Sequence, residues 1–406
     1  HMEQYNTKQR RFTMTTPSVR IGLIGIGNIG SAHLRWMLEH PEGGLSVAAL
    51  CDTDPQKRDL LRREAPGIPV FATHEELLAS GLTEAVIVSA PHEVHPIAAV
   101  NAFRAGQHVL IEKPAGVSVR AVRRMNKEAE KSGKVFAIMF NQRTNPLFAR
   151  AREIVQSGQL GKPKRLVWIV TNWYRTQAYY DSGSWRATWN GEGGGVLLNQ
   201  APHNLDLWQW IFGMPKRVFA FCSFGKYHRI AVEDDVTIQA EYENGASATF
   251  ITTTGETPGT NRLEISGDRG RLVLENGSLL WQKLSSPERE FCFSAKEGFF
   301  QPDVQEERFS APEPDGHPLI LQNFARAILY GEPLIAPGSE GIRSLSISNA
   351  AYLSAWTNGW AEIPVDEERF ESFLAQRREE ERLSPPRTVQ AEKMSEAYQT
   401  RWSVRW

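Results

Sequence analysis

A buried strand that runs without pause into a glycine-rich turn and then an amphipathic helix leaves a chain few folds to choose from. Here the strand is Val19-Arg20-Ile21-Gly22-Leu23-Ile24, the turn is Gly25-Ile26-Gly27-Asn28-Ile29-Gly30, and the helix continues from Ser31 to His40. Ile29, Leu34, Met37 and Leu38 are its expected inner side, and Pro41 with Gly43-Gly44 ends it. A G-x-G-x-x-G on its own is a weak signal, because glycines punctuate many turns. Set between a strand and a helix, it is the dinucleotide-binding fingerprint. Gly25 permits the tight turn, Gly27 lets the backbone approach a pyrophosphate, and Gly30 allows close helix–strand packing. The phosphates then meet the free N–H groups and positive dipole end of the helix, with Ile26, Asn28 and Ile29 completing the loop.

The next strand, Leu45 to Cys51, ends in Asp52. A carboxylate there accepts hydrogen bonds from the adenosine ribose hydroxyls and repels a 2′-phosphate, which points to NAD rather than NADP. The spacing slightly exceeds the usual ~20 residues, and Pro41-Glu42-Gly43-Gly44 supplies the excess. Lys57 and Arg58 follow on a helix from Asp54 to Glu64 and are expected to face solvent. Further strands and helices alternate: Val70-Phe71, His74–Ala79, Ala85–Ala90, Pro96–Ala105, Gln107–Ile111, Ser118–Ser132 and Val135–Phe140. That alternation predicts a doubly wound parallel sheet. Carboxyl ends of its strands are where such sheets bind ligands. Two of those ends carry chemistry. Ala90, Pro91, His92 and His95 close one strand and are expected to border the cofactor, with His95 packing or touching it rather than acting in catalysis. Glu112-Lys113-Pro114 closes the other and presents a charge.

Composition narrows the rest. At 406 residues the chain is long enough for two cores, and a net charge of −1 gives no sign of a nucleic-acid or anionic-membrane partner. Cys51, Cys222 and Cys292 have neither disulfide-framework nor metal-ligand spacing, so no metal is expected and a reducing, cytoplasmic setting is. No apolar run approaches the ~20 residues that span a bilayer. His1-Met2 reads as a cloning remnant.

GIGNIG, Asp52, SAPHEVHP (89–96), EKP (112–114) and FNQRTNP (140–146), in that order, resemble the Gfo/Idh/MocA oxidoreductase family. The resemblance implies an NAD-dependent dehydrogenase with a Rossmann-type domain and a second α+β domain built on a large, mostly antiparallel open sheet. It implies that Lys113 contacts both the nicotinamide region and a substrate hydroxyl, beside Glu112. It also implies a homo-oligomer, a dimer or tetramer, formed through the second sheet's open face.

The second half begins after Asn145-Pro146. A helix from Leu147 to Ser157 leads to the strand Arg165–Thr171, whose continuous apolar centre predicts cover on both faces. Several of the chain's 12 tryptophans then cluster in an aromatic and basic segment. Trp173, Tyr179, Tyr180 and Trp185 offer faces on which pyranose or cyclitol rings stack, while Arg175 and Arg186 bond hydroxyl or acidic groups, with Arg186 reaching the cofactor as well. Arg143, at the end of the preceding strand, is expected to join them. An aromatic core with snorkelling arginines would share this composition, but the interrupting Gly, Ser and Asp residues predict a ligand-lining loop.

Gly193-Gly194-Gly195 introduces Val196 to Asp206, which resembles the family's second signature, GGGxLxDxGxHxxD. His203 falls near the start of a helix running from about Pro202 to Phe212. The dipole there disfavours an imidazolium and suits a general base that starts neutral. Asn199 stands where the signature has Asp; an amide can orient a substrate hydroxyl or His203 but cannot titrate. Strands are expected at Arg217–Ser223, Asp235–Tyr242, Ala246–Thr254, Arg262–Ser266 and Arg271–Glu275, with Asn244-Gly245 and Gly267-Asp268 as hairpin turns. Residues 285–314 are expected to be irregular, and helices to follow at Pro318–Tyr330 and from Glu340 to Thr357.

The expected organisation is an N-terminal arm (1–18), an NAD-binding domain (19–143), a substrate and oligomerisation domain (144–366), and a charged helix and arm (367–406). The expected reaction is oxidation of a secondary hydroxyl on a sugar, sugar derivative or cyclitol. His203 takes the proton and Lys113 stabilises the alkoxide, supported by Glu112 or Asn199. Two other readings stay open: a redox-neutral NAD-dependent glycoside hydrolase that returns the hydride, and a non-catalytic NAD-binding sensor.

Overall fold

The computed structural model describes residues 17–385. The expected N-terminal arm and the arm carrying Trp402 and Trp406 lie outside the described residues. Strand β1 (Val19–Ile24) opens a six-stranded parallel sheet and passes directly into α1 (Asn28–Glu39). Then follow β2 (Leu45–Cys51), α2 (Pro55–Glu64), β3 (Val70–Phe71), α3 (His74–Ala79), β4 (Ala85–Val88), α4 (Val94–Arg104), β5 (His108–Ile111), α5 (Val119–Ser132) and β6 (Phe136–Ile138). The strand order β3-β2-β1-β4-β5-β6 reverses direction at β1 and β4, the switch point where doubly wound sheets form ligand crevices. Strand β4 is buried along its whole length and β5 from Val109 onward, as their unbroken apolar runs require. Helix α5 shows how a short signal sets an element's ends. Ser118 caps the Ala121 amide, Val119, Val122, Met125 and Ala129 face inward at helical spacing, and Gly133 stops the helix in the left-handed region.

The second half starts with α6 (Pro146–Gln156), β7 (Pro163–Val170), a short α7 (Gln177–Asp181) and α8 (Pro202–Phe212). Strands β8 (Arg217–Phe224), β9 (Glu233–Glu241), β10 (Ser247–Thr253), β11 (Asn261–Gly267), β12 (Gly270–Glu275) and β13 (Ser278–Leu284) come next. After them stand α9 (Glu288–Ser294), β14 (Val304–Ser310), α10 (Gly316–Tyr330), α11 (Gly341–Thr357), β15 (Ala361–Glu362) and α12 (Glu367–Leu383). The nine strands join in the order β14-β13-β12-β11-β7-β10-β9-β8-β15, antiparallel except for β7 beside β10. Trp168, Trp208 and Phe250 pack together in the core on one face, with Trp208 stacked on Phe250 at 5.7 Å.

Three expectations are corrected. Strand β7 buries Leu166, Trp168 and Val170 but leaves Val167 and Ile169 half-exposed, so a single chain covers only one of its faces. Residues 285–314 hold α9 and β14 rather than irregular chain; β14 is an edge strand joined by its backbone to β13, so it has no buried face to impose apolar alternation. In α1, Leu38 is 46% exposed and His33 takes the inner position instead.

The two halves are locked by charged and amide groups. Arg143 forms a double hydrogen bond with Asp206 of α8 (2.8 and 2.7 Å) and a third with Glu340 at 2.6 Å, just before α11. The Asn349 side chain of α11 accepts the Val119 amide and donates to the Val117 carbonyl, both at 3.0 Å.

Candidate active site

At the switch point, Gly25 has φ +86°, a backbone that L side chains rarely adopt. A Cβ added to Gly27 would meet nothing within 4 Å, whereas one on Gly30 would lie 2.1 Å from the Gly25 carbonyl oxygen. The second glycine thus faces open space and the third is pressed against the turn. Helix α1 begins with no side-chain cap on its free amides. Asp52 is buried, and its carboxylate accepts the Ile26 amide and the Asp54 amide, each at 2.9 Å. An open glycine, uncapped amides and a carboxylate at the end of β2 together fit a dinucleotide. Lys57 and Arg58 do not point wholly outward as expected. Lys57 Nζ lies 3.7 Å from Asp52 Oδ2, and Arg58 donates to the Asp52 and Thr53 carbonyls at 3.0 and 2.7 Å.

Ala90 and Pro91 follow β4 at the mouth of this turn. His92 is buried with Nδ1 2.9 Å from the Glu192 carbonyl oxygen, so it ties the cofactor side to the second half. Burial, aided by the neighbouring His95 and Lys113, pushes its pKa down to about 3. His95 is buried with Nδ1 2.8 Å from the Pro114 carbonyl oxygen and Nε2 2.7 Å from that of Ala90. It clamps the chain ends after β4 and β5 together.

Glu112 and Lys113 leave β5 in different directions. The Glu112 carboxylate is buried, 2.7 Å from His33 Nε2, with its second oxygen accepting the Lys113 amide at 3.2 Å. Burial opposes the charge, yet His33, His317 and Lys113 hold the carboxyl down at about 2. The half-buried Lys113 extends its Nζ 2.8 Å to the Asn199 carbonyl oxygen in the second half. Burial lowers its pKa, Glu112 and Glu192 raise it, and Arg175 and Arg186 lower it again.

The aromatic segment folds around Tyr179. The Arg175 and Arg186 guanidiniums lie 5.1 and 4.7 Å from its ring, and Arg186 donates to its hydroxyl at 2.9 Å. Arg186 also sits 4.7 Å from the ring of Trp185, which is 39% exposed. Trp173 is half-buried nearby in the chain. Tyr180 turns inward: it is buried, with its hydroxyl 2.7 Å from Thr254 Oγ1, and belongs to the scaffold. Arg143 is likewise drawn out of the expected ligand-lining set, because Asp206 and Glu340 occupy its buried guanidinium.

His203 occupies the first turn of α8, as expected, half-buried with its ring 6.3 Å from Phe140. Burial, then Lys113, pushes its pKa down to about 3, so the ring is neutral. Its buried Nδ1 has no hydrogen-bond partner among the described residues. The Asn199 side chain does not orient it; the amide donates to Glu192 instead. Glu192, His33 and His317 are the neighbours that sequence reasoning missed. Glu192 had a signal, a lone acid among the small residues of Gly191–Gly195, and His33 had one as a polar residue at helical spacing on the inner face of α1.

The parallel sheet, its glycine turn and the lysine and histidine brought to its carboxyl edge define a nicotinamide-dependent oxidoreductase. The comparisons agree. Residues 19–140 match the family model described as oxidoreductase family, NAD-binding Rossmann fold, and residues 148–273 match the GFO/IDH/MocA C-terminal domain. The chain belongs to the Gfo/Idh/MocA family and is an NAD-binding oxidoreductase of the sugar and inositol dehydrogenase type. It is 30% identical over 189 residues to a 1-carboxy-3-chloro-3,4-dihydroxycyclohexa-1,5-diene dehydrogenase of Comamonas testosteroni, a match covering 47% of this chain and 46% of that one. It is 25% identical to the myo-inositol 2-dehydrogenase of Thermotoga maritima, covering 82% and 95%. Among solved structures it resembles the WlbA dehydrogenase of Chromobacterium violaceum in complex with NADH and UDP-GlcNAcA, at 27% identity and TM-score 0.73, covering 87% and 98%. Among the described residues no helix is long and apolar enough to cross a membrane.

Proposed function

We propose that this chain oxidises a secondary hydroxyl of a sugar, sugar derivative or cyclitol. The observation that carries the reading is the 2.8 Å contact of Lys113 Nζ with the Asn199 carbonyl oxygen. It brings a cation from the cofactor-binding sheet to the segment that ends in His203. NAD, when bound, supplies the hydride acceptor. His203 starts neutral and takes the hydroxyl proton. Lys113 donates to the oxygen as negative charge develops on it, and a fixed cation at that point is the strongest electrostatic aid the site contains. The Asn199 carbonyl aims the ammonium. Trp173, Tyr179 and Trp185 offer ring faces to the substrate, while Arg175 and Arg186 bond its hydroxyl or acidic groups. The myo-inositol and UDP-GlcNAcA named for the relatives fit that class.

The hydrolase reading needs further acid–base groups, and of the tyrosines and the aspartate in the aromatic segment Tyr180 is engaged with Thr254 and Asp181 with Gln177. A panel of sugars, sugar acids, cyclitols and glycosides incubated with NAD decides between them. The dehydrogenase accumulates NADH; aglycone released without NADH would overturn the reading in favour of the hydrolase. Replacing Lys113 by Ala is expected to lower kcat by about 10²-fold or more while NAD still binds. Near-normal turnover in that variant removes Lys113 from the mechanism. We also infer a division into units 19–143 and 144–366. The exposed face of the larger sheet, with Phe221 62% exposed, would then be covered by a second copy. Light scattering that reports a monomer at working concentration refutes the assembly.

A further inference from the structure

A buried carboxylate stands beside Lys113 and has no part in the reaction above. Glu192 is 2% exposed. Its Oε2 accepts the Ala187 amide at 2.7 Å, and its Oε1 accepts the side-chain amide of Asn199. The backbone carbonyl oxygen of Asn199 accepts from Lys113 Nζ at 2.8 Å. Glu192 therefore holds the side chain of Asn199 and Lys113 the backbone of the same residue, so one residue joins the carboxylate to the ammonium across the boundary between the two sheets.

We propose that Glu192 is the positioning carboxylate of this site: its charge holds the Lys113 side chain as an ammonium, and its hold on the Asn199 side chain fixes the backbone carbonyl that the ammonium leans on. The inference rests on the reading of Lys113 as the group beside the reacting oxygen. The donor set selects the ionised form. Both Glu192 oxygens accept from N–H donors, and hydrogen bonds to the charged form favour it. Burial leaves the carboxyl above its ordinary value, and the Ala187 amide, Asn199, Arg186 and Lys113 limit the rise.

Charge balance asks for the same thing. Lys113 is faced by Glu112 from its own strand end, by Arg175 and Arg186 from the aromatic segment, and by the imidazoles of His92, His95, His203 and His317. Glu112 is already bound to His33 at 2.7 Å. Without Glu192, three cations would share a largely buried site with one carboxylate that has its own partner, and burial would favour a neutral lysine. The amide at position 199 then has a reason. A carboxylate there would touch Glu192, and two carboxylates in contact cannot both ionise freely. The negative charge that the resembling signature places at 199 is supplied here from seven positions upstream.

The test uses the full chain saturated with NAD. The Lys113 titration is followed by the pH dependence of its reductive methylation, read on the Lys113 peptide by mass spectrometry. The pH profile of kcat/KM is measured alongside. In Glu192→Gln the labelling midpoint is expected to fall by about one unit or more, with the alkaline limb of activity moving the same way. Glu192→Asp shortens the side chain but keeps its charge, and should stay near the wild-type midpoint. The double variant Glu192→Gln/Asn199→Asp returns a carboxylate to the same contact and should recover most of the shift. A Glu192→Gln enzyme that is slower at every pH with an unmoved midpoint overturns the proposal, as does a double variant that recovers nothing. A shifted midpoint in a chain that forms NADH from none of the sugars, sugar acids or cyclitols offered would sink the dehydrogenase reading and leave this inference standing.

Discussion

Adding one methyl group at either of two glycines in the same turn should damage the protein in opposite ways. At Gly27 the added Cβ meets nothing within 4 Å, and its φ of −83° suits alanine. At Gly30 the Cβ falls 2.1 Å from the Gly25 carbonyl oxygen and 2.8 Å from Ser89 Oγ, which itself donates to that carbonyl at 2.8 Å. The turn and helix must part by about 1 Å, and overpacking of this kind costs ~1–3 kcal/mol. Loss of the Ser89 hydrogen bond adds ~1 kcal/mol, and the helix propensity of alanine returns a similar amount. A net ~1–3 kcal/mol lowers the melting temperature by roughly 2–10 °C for a unit of this size. Gly27→Ala should change stability by less than ~0.5 kcal/mol. Its methyl group instead fills the space through which a pyrophosphate reaches the backbone, and the affinity for NAD should fall about 100-fold, or ~2.7 kcal/mol. At a concentration of about 100 times the wild-type Kd, NAD stabilises the native enzyme by ~2.7 kcal/mol and the Gly27→Ala variant by only ~0.4 kcal/mol. Scanning fluorimetry with and without NAD, with titration calorimetry for Kd, reads both effects. A Gly27→Ala variant that melts as low as Gly30→Ala without NAD, or that keeps the wild-type NAD shift, refutes the reasoning.

Asp52→Ser removes the carboxylate at the ribose end while Lys57 and Arg58 stay beside it, so the ratio of kcat/KM for NADP over NAD should rise roughly tenfold or more, about 1.4 kcal/mol; an unchanged ratio means that Asp52 does not read the ribose. Arg143→Met leaves Asp206 and Glu340 without their buried partner, a loss of ~3–5 kcal/mol in denaturant unfolding. Normal stability with a raised substrate KM would reinstate the ligand-binding role expected from sequence. For His92, the unfolded ring takes a proton near its ordinary 6.5 and the buried ring only at about 3. Stability is therefore lost as pH falls through that window, by about 2 kcal/mol at pH 5. In His92→Asn, whose amide can still donate to the Glu192 carbonyl, the drop in stability from pH 7 to pH 5 should shrink by about that amount; an unchanged drop would mean that the ring is not held neutral.

What could be read from the sequence divides along physical lines. Backbone-dominated features were legible. The glycine turn, the buried strands β4 and β5 and the helix that carries His203 each follow from local sterics and apolar period. Side-chain partnerships across long sequence separations were not. Arg143 looked like a ligand group because it ends a strand at the binding edge, and only the fold shows Asp206 and Glu340 waiting for it. Tyr180 had the same composition as Tyr179, yet Thr254 draws one inward while two arginines hold the other at the rim. Strand β14 was invisible because an exposed edge strand needs no apolar alternation.

Lys113 leans on a backbone carbonyl, and so does His92 across the same boundary. Both acceptors lie in the turn between Glu192 and Asn199, and that turn is anchored from behind. The buried Glu233 accepts the Gly195 and Leu197 amides at 2.9 Å and the Tyr352 hydroxyl at 2.8 Å. Backbone acceptors do not change with side-chain identity, so substitutions in the aromatic segment 172–186 leave these contacts in place. The segment is fastened separately, through the Arg175 carbonyl on His228 at 2.8 Å and through Tyr180 on Thr254. The design separates two tasks. The turn fixes where Lys113 sits, and under the proposed function the segment before it supplies the rings and guanidiniums that select a substrate. Under that reading a change of substrate belongs at Trp173, Tyr179 and Trp185, where kcat for the new substrate can survive, and not at Glu192 or Asn199, which set the position of the lysine, nor at Arg175 or Arg186, which also act on its charge.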